Sequence, residues 1–376
     1  MSTMRYSYWD ILKAPRIALS GKNLLAQGRA LLYGYVIYLI LTYAALLIDG
    51  INWGYIWSNH YIFPFTNLDF QYWYSKLIWL VAIIQFGVWF YYGSLTVAKL
   101  AFEELKGNYF FPLKEAAREA RTGLRILLVA LIVPALLVVV LALLQAVYGL
   151  IALIPGVGEI IYAVSYGIPL FIWSLFVVFV AFGLATAFLT LPAIATINEK
   201  DSFGATFHIF NVIWTQPLRW VSLTAISLAL AKVGTFVLGY FIIRSLQLTN
   251  FTAALFAGDK MRSIFATGYD MFTRRGAMLD FFCSLYPGSS IRFDWLTIAG
   301  FADADGSGYI AALIILGVLT LLALLIISYG LSIITCGQVI AFLLVRYHED
   351  NEKLTEELVA TEITPQSPPA EPPAEA

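Results

Sequence analysis

The residue best placed to do chemistry is a lysine with no acid beside it. Lys232 stands in the middle of SLTAISLALAKVGTFVLGY, and a charge set deep in an apolar run usually faces the protein interior or a wet cavity. None of the long apolar runs contains an Asp or Glu to pair with it. The amides of Gln85, Gln145 and Gln338 do lie in such runs, and with Lys232 they form a candidate intramembrane polar site. Three roles stay open: contact with an anionic substrate or lipid headgroup, a structural polar contact, and snorkelling of the amine to an interface.

A second pattern is DADGSGYI, Asp303 to Ile310. Asp303, Asp305 and Ser307 match positions 1, 3 and 5 of an EF-hand loop, Gly308 matches the turn glycine, and the Tyr309 carbonyl is the position-7 candidate. Position 12 should supply a bidentate Glu and is Ile314, while position 9 is Ala311. The incomplete ligand set leaves two readings: a weak Ca2+ site, and a tight Asp/Gly turn that starts a helix. No other cofactor is expected. His60, His208 and His348 are scattered, and HExxH, GxSxG and phosphate-loop motifs are all missing, so the chain is expected not to be an enzyme. Cys283 and Cys336 are too far apart in the predicted topology to pair.

The elements that carry these residues are membrane spans. Hydrophobic residues make up 60% of the chain and charged residues 12%, against about 45–50% and 25% in soluble domains. The expected fold class is therefore all-α, a polytopic membrane helix bundle of about six transmembrane helices with cytoplasmic amphipathic helices. A span needs about 20 apolar residues. Ala30 to Ile48, Leu77 to Ala98, Ile126 to Ile151, Ile160 to Ile197, Val221 to Ile243 and Tyr309 to Leu344 meet that length. Pro155, Gly156 and Gly158 mark a turn before the fourth of these. A net charge of −1 excludes a basic surface for nucleic acid.

Basic residues set the orientation. Arg5, Lys13, Arg16, Lys22 and Arg29 fill the leader, and Lys106, Lys114, Arg118, Arg121 and Arg125 fill the connection after the second span, so both segments are expected in the cytoplasm. The connection 244–308 also carries bases, but it is long enough to weaken the rule. The expected organisation is a cytoplasmic amphipathic leader, 1–29, and a membrane domain, 30–346. Its external loops are 49–76, 152–159 and 244–308, and its cytoplasmic loops 99–125 and 198–220. The tail, 347–376, holds eight carboxylates, one lysine and five prolines, which suits a short helix followed by disorder. Both termini are then cytoplasmic. The N-terminus lacks the apolar core of a signal peptide and is expected to be retained.

Amphipathic stretches precede three of the spans: YWDILKAPRIALSGKNLLAQGR, FFPLKEAAREARTGLR and SFGATFHIFNVIWTQPLR. They suit interfacial anchoring, with basic residues meeting anionic lipid. Leu95, Thr96, Lys106, Leu124 and Arg125 recur at one constant spacing as Leu189, Thr190, Lys200, Leu218 and Arg219, a pattern open to either internal repetition or compositional chance. Gly183 and Ala187 form a small-residue pair suited to close helix contact, and Pro134, Pro169 and Pro192 can bend their spans. The aromatic segment around Trp53, Trp57, Tyr61, Phe63, Tyr72 and Trp73 suits an interfacial belt or a docking patch. The sequon Asn250-Phe-Thr252 would be used only in a eukaryotic secretory pathway.

Pro192, Ala193, Glu199, Phe203 and Ala205 in TLPAIATINEKDSFGATFHIF, echoed by Glu104 and Tyr109, resemble a pattern of bacterial multi-pass membrane proteins. That group is related to the membrane domain of glycerophosphodiester phosphodiesterases. The resemblance covers about a third of the chain, implies a helical membrane module, and carries no catalytic residue across. The expected location is a bacterial inner membrane. The expected partners are the lipid bilayer and other membrane proteins, with no nucleic acid. Two functions fit: a non-enzymatic scaffold or accessory subunit of a membrane assembly, and a transporter or channel for a small anion or lipid that uses Lys232.

Overall fold

A computed structural model describes residues 4–64, 70–197, 202–273, 304–350 and 355. Among these the protein is all-α, and six helices are long and apolar enough to cross a membrane. In chain order the helices are α1 (Ala14–Ala18), α2 (Gly21–Ile48), α3 (Trp53–His60), α4 (Trp73–Lys106), α5 (Leu113–Gly149), α6 (Val157–Gly167), α7 (Pro169–Ile197), α8 (Ser202–Thr215), α9 (Pro217–Thr273) and α10 (Ser307–Asp350). Tyr8–Lys13 and Leu150–Leu153 are short 3-10 turns. The chain divides into two compact units. One comprises Met1–Ala14, Ala98–Ala225 and Thr335–Ala376, and the other Pro15–Val97 and Ile226–Ile334.

Local chemistry sets the helix boundaries. Ser20 caps α2 by accepting from the Asn23 amide, and Asn52 caps α3 by accepting from the Gly54 amide. Gly107, at φ +95°, ends α4 and lets the Asn108 amide return to the Glu103 carbonyl. The turn after α5 needs two glycines. Gly156 has φ +76°, and a Cβ on Gly158 would fall 2.0 Å from the Ile151 carbonyl oxygen.

The expected span Ile160 to Ile197 is corrected. The helix breaks at Ile168, because Pro169 has no amide hydrogen and disfavours a helical residue before it. The membrane-length helix begins at Pro169, and Val157–Gly167 is a separate short helix. Two of the three amphipathic stretches run on into the spans they precede, the first only in part. Gly21 to Arg29 is already the start of α2, and Leu113 to Arg125 is already the start of α5; Ser202–Thr215 is a helix of its own. The connection 244–308 begins as a continuation of α9 to Thr273, interrupted at Gly258 where φ is +58° and ψ −139°.

In the first unit α5, α7 and α8 pack together. Thr206 on α8 reaches the Ala130 carbonyl of α5, and Phe210 fills the space beside Gly183 of α7, which has no side chain to exclude it. The outer faces stay apolar. Ile132, Val133, Leu136, Leu143 and Val147 on α5, and Phe171, Ile172 and Leu175 on α7, are all exposed. A row of that size in water would drive association, and on helices of this length it is a lipid-facing surface.

The core of the second unit is aromatic. Tyr35, Tyr38, Phe63, Ala82, Met271 and Leu316 form one buried cluster, and Tyr43, Leu46, Ile56 and Phe70 belong to another. The Tyr35 and Tyr38 hydroxyls donate to the carbonyls of Ile62 and Pro64, so the segment after α3 is tied down onto α2.

Candidate functional site

The three glutamines singled out from the sequence do not converge; each bonds to a different helix. Gln85 of α4 donates to the Gly34 carbonyl of α2 at 2.9 Å, in the second unit. In the first unit Gln145 of α5 donates to Ser174 of α7 at 2.9 Å, and Gln338 of α10 donates to Thr224 of α9 at 3.1 Å. Interhelical hydrogen bonds of this type tie membrane helices together. Lys232 is half-buried on α9, next to the fully buried Ala231.

A polar group that the sequence reading passed over lies in the second unit. Asn23 and Gln27 of α2 are both fully buried. Asn23 donates to the Ile17 carbonyl at 2.8 Å, but its Oδ1 and both polar atoms of Gln27 have no hydrogen-bond partner in the described structure. Beside Gln27, α4 comes close: a Cβ on Gly93 would stand 2.8 Å from Ala30 Cβ and 2.9 Å from Gln27 Oε1. The i, i+4 spacing of Asn23 and Gln27 is visible in the sequence and puts both on one helix face. Assigning residues 1–29 to a leader hid it.

The first unit holds a charged cluster where α4 meets α5. Lys99 lies 3.2 Å from Glu103 and 2.8 Å from Glu119, and Lys106 lies 3.4 Å from Glu103. The amines of Lys99 and Lys106 also sit over the rings of Phe111 and Phe102. Lys99 and Glu119 join two helices, so the cluster fixes their connection. The i, i+4 and i, i+3 spacings of Lys99, Glu103 and Lys106 were the available signal.

Between α2 and α4, Asp49 accepts hydrogen bonds from the amides of Gln71 and Tyr72 at 2.8 and 3.0 Å. Desolvation pushes its carboxyl pKa up. The two amide bonds, with Ser75 and Lys76 nearby, outweigh that and hold it below the usual carboxylate range. The aromatic segment is only partly exposed. Trp53 stacks on Trp57, whose indole donates to the Tyr309 hydroxyl at 3.3 Å, while Tyr55 and Trp73 point outward.

Of the calcium candidates, Asp303 lies outside the described residues. Asp305 and Gly306 precede α10, and Ser307 and Tyr309 are already within it. The Gly308 amide bonds the Asp305 carbonyl at 3.0 Å, which is the hydrogen bond of a helix-starting turn. Among the described residues no group of three or more His, Cys, Asp or Glu is placed to hold a metal. Glu199 and Cys283 also lie outside the described residues. Asn250 of the sequon is half-buried within α9, with Oδ1 fully covered.

A cavity of about 500 Å³ in the first unit brings together the leader and the start of α9. Tyr8, Thr215, Gln216, Pro217, Leu218, Arg219 and Ser222 line it. Arg219 donates from Nε to the Tyr8 hydroxyl at 2.5 Å and from Nη1 to Gln216 Oε1 at 2.7 Å. In the same unit, Tyr6 packs at a tilt against Tyr347 with ring centroids 4.6 Å apart, and its hydroxyl bonds Thr355 at 2.7 Å.

Compared with known proteins, the chain matches no family model, no curated protein and no solved structure.

Proposed function

We propose that this integral multi-pass membrane protein is a non-enzymatic scaffold or accessory subunit of a membrane assembly. The observation that carries the reading is the commitment of the intramembrane amides of Gln85, Gln145 and Gln338 to separate helix–helix hydrogen bonds. A bundle whose polar side chains are spent on fixing neighbouring helices suits a rigid part better than a moving one. Two further features support it: the Tyr6–Tyr347 contact near the chain ends, and the outward-facing aromatics Tyr55 and Trp73. In this reading the basic leader and the tail lie in the cytoplasm, and the membrane is a bacterial inner membrane. The resemblance around Pro192 and Ala193 fits the same picture, a membrane module without a catalytic domain.

One observation favours a second reading, transport of a small anion or lipid. Gln27 is fully buried with both polar atoms unpaired, and a buried amide in that state calls for water or a ligand. Lys232 would then supply the charge that an anion needs.

Extraction of the tagged protein in mild detergent, followed by native mass measurement, tests the two. Stoichiometric co-purification of other membrane proteins, unchanged in Lys232→Leu, is the expected result. A lone protomer or homo-oligomer whose bound anion or lipid disappears in Lys232→Leu would replace the scaffold with the transporter.

A further inference from the structure

The cavity at Tyr8, Gln216 and Arg219 has features that packing does not require. A guanidinium fork matches carboxylate and phosphate oxygens in geometry and charge. Among the described residues Arg219 makes no ion pair; its partners are the neutral oxygens of Tyr8 and Gln216. The guanidinium carbon also lies 5.7 Å from the centroid of the Tyr8 ring. Two hydrogen bonds and a ring contact hold the planar group in one orientation while leaving its charge uncancelled. The N–H groups left on Nη1 and Nη2 suit the oxygens of a phosphate group, while the Ser222 hydroxyl in the same lining donates to the Arg219 carbonyl at 2.8 Å.

The surroundings specify what carries that phosphate. Leu218, next to Arg219, is 84% exposed, and Trp9, next to Tyr8, is 77% exposed. Large apolar side chains this open, at the start of a membrane-length helix, belong in lipid at the level of the headgroups. The open cleft therefore holds Arg219 beside the exposed Leu218 that lines it, with the exposed Trp9 adjacent to Tyr8 in sequence, an arrangement that fits a phospholipid.

We propose that this cavity is a binding site for the phosphate group of an anionic phospholipid, with Arg219 as the principal contact and Tyr8 and Gln216 as the residues that position it. The site is independent of whether the protein acts as scaffold or transporter. An assembly subunit would use it to select the lipid around the complex, and a transporter to recruit it.

The test uses the full-length protein in vesicles of phosphatidylcholine containing a minority of phosphatidic acid, with retained lipid counted by native mass spectrometry. Arg219→Gln should lower phosphatidic acid retention by at least about tenfold, the loss expected for a charge-assisted contact. Arg219→Lys should give an intermediate value, because the charge remains and the fork is lost. The control is Arg244→Gln, which removes the same charge from the same helix, where Arg244 likewise bonds a glutamine and lies over a tyrosine ring. If Arg219→Gln and Arg244→Gln lower retention equally, the attraction is bulk electrostatics and the site is refuted. If Arg219→Gln retains as much lipid as the wild type, it is refuted outright. Inorganic phosphate separates the two sources of the chemistry. Arg219-dependent displacement by millimolar phosphate upholds the site for free phosphate as well, and resistance to it confines the site to the lipid.

Discussion

A pair of glycine substitutions on α4 measures how closely α2 and α4 are packed. A Cβ on Gly93 would lie 2.8 Å from Ala30 Cβ, whereas a Cβ on Gly87 would have nothing within 4 Å. Ordinary carbon–carbon contact begins at about 3.5 Å, so Gly93→Ala must open the helix crossing by about 0.7 Å, and Ala30 cannot rotate out of the way. Overpacking of this kind costs about 1–3 kcal/mol. Both substitutions remove a glycine from the same helix and so share the gain of about 1 kcal/mol in helix propensity, which cancels in the comparison. Gly93→Ala should therefore be about 1–3 kcal/mol less stable than Gly87→Ala. Reversible unfolding in mixed micelles, followed by tryptophan fluorescence, gives that difference directly. A difference within about 0.5 kcal/mol, the usual scatter between independent sites, would refute the close crossing. A more stable Gly93→Ala would do so more forcefully.

Two further outcomes follow from the hydrogen bonds. The lowered pKa of Asp49 means that its contribution is present above the unfolded carboxyl pKa and is lost as pH falls through the folded one. Protection of the Gln71 and Tyr72 amides against hydrogen exchange should therefore collapse in acid, below the usual carboxylate range, and Asp49→Asn should abolish that pH dependence; equal profiles in both proteins would refute it. For Gln338 and Thr224, a double-mutant cycle with Gln338→Leu and Thr224→Val should give a coupling of about 0.6 kcal/mol and no more than about 1.7 kcal/mol. Gln338→Leu alone should be near neutral, because Gln338 Oε1 is already buried without a partner; a coupling indistinguishable from zero would remove the pair from the account.

The spans were legible because length and hydropathy decide them almost alone. Pro169 shows where that stops: an uninterrupted apolar run reads as one helix, and only the steric clash of the ring with the residue before it separates Val157–Gly167 from Pro169–Ile197. Polar residues were harder. Gln85, Gln145 and Gln338 stand out in apolar context, but sequence carries no information on which neighbour each meets, and they prove to serve separate crossings. The Arg219 cavity was invisible for a different reason. Tyr8 and Arg219 are brought together by the fold, and taken singly each reads as an ordinary interfacial residue.

The position of the unpaired polar atoms of Asn23 and Gln27 along α2 also bears on the choice between the two functions. Asn23 and Gln27 lie within the first two turns of a helix of 28 residues. About 20 residues cross the hydrocarbon, so on the order of eight, or about 12 Å of helix, are left for the headgroup regions. If that excess lies at the start of α2, which the polar residues there favour, Asn23 and Gln27 stand at headgroup depth. Water is present at that depth, and one or two buried molecules can complete their hydrogen bonds without a continuous path across the bilayer. The space toward α4 is already taken, since Gly93 approaches Gln27 too closely for a side chain to intervene. Hydration of Gln27 at the end of a tight helix crossing would be compatible with a rigid bundle. The transport reading then depends on Lys232, deeper in α9, and the Lys232→Leu comparison is the one that decides it.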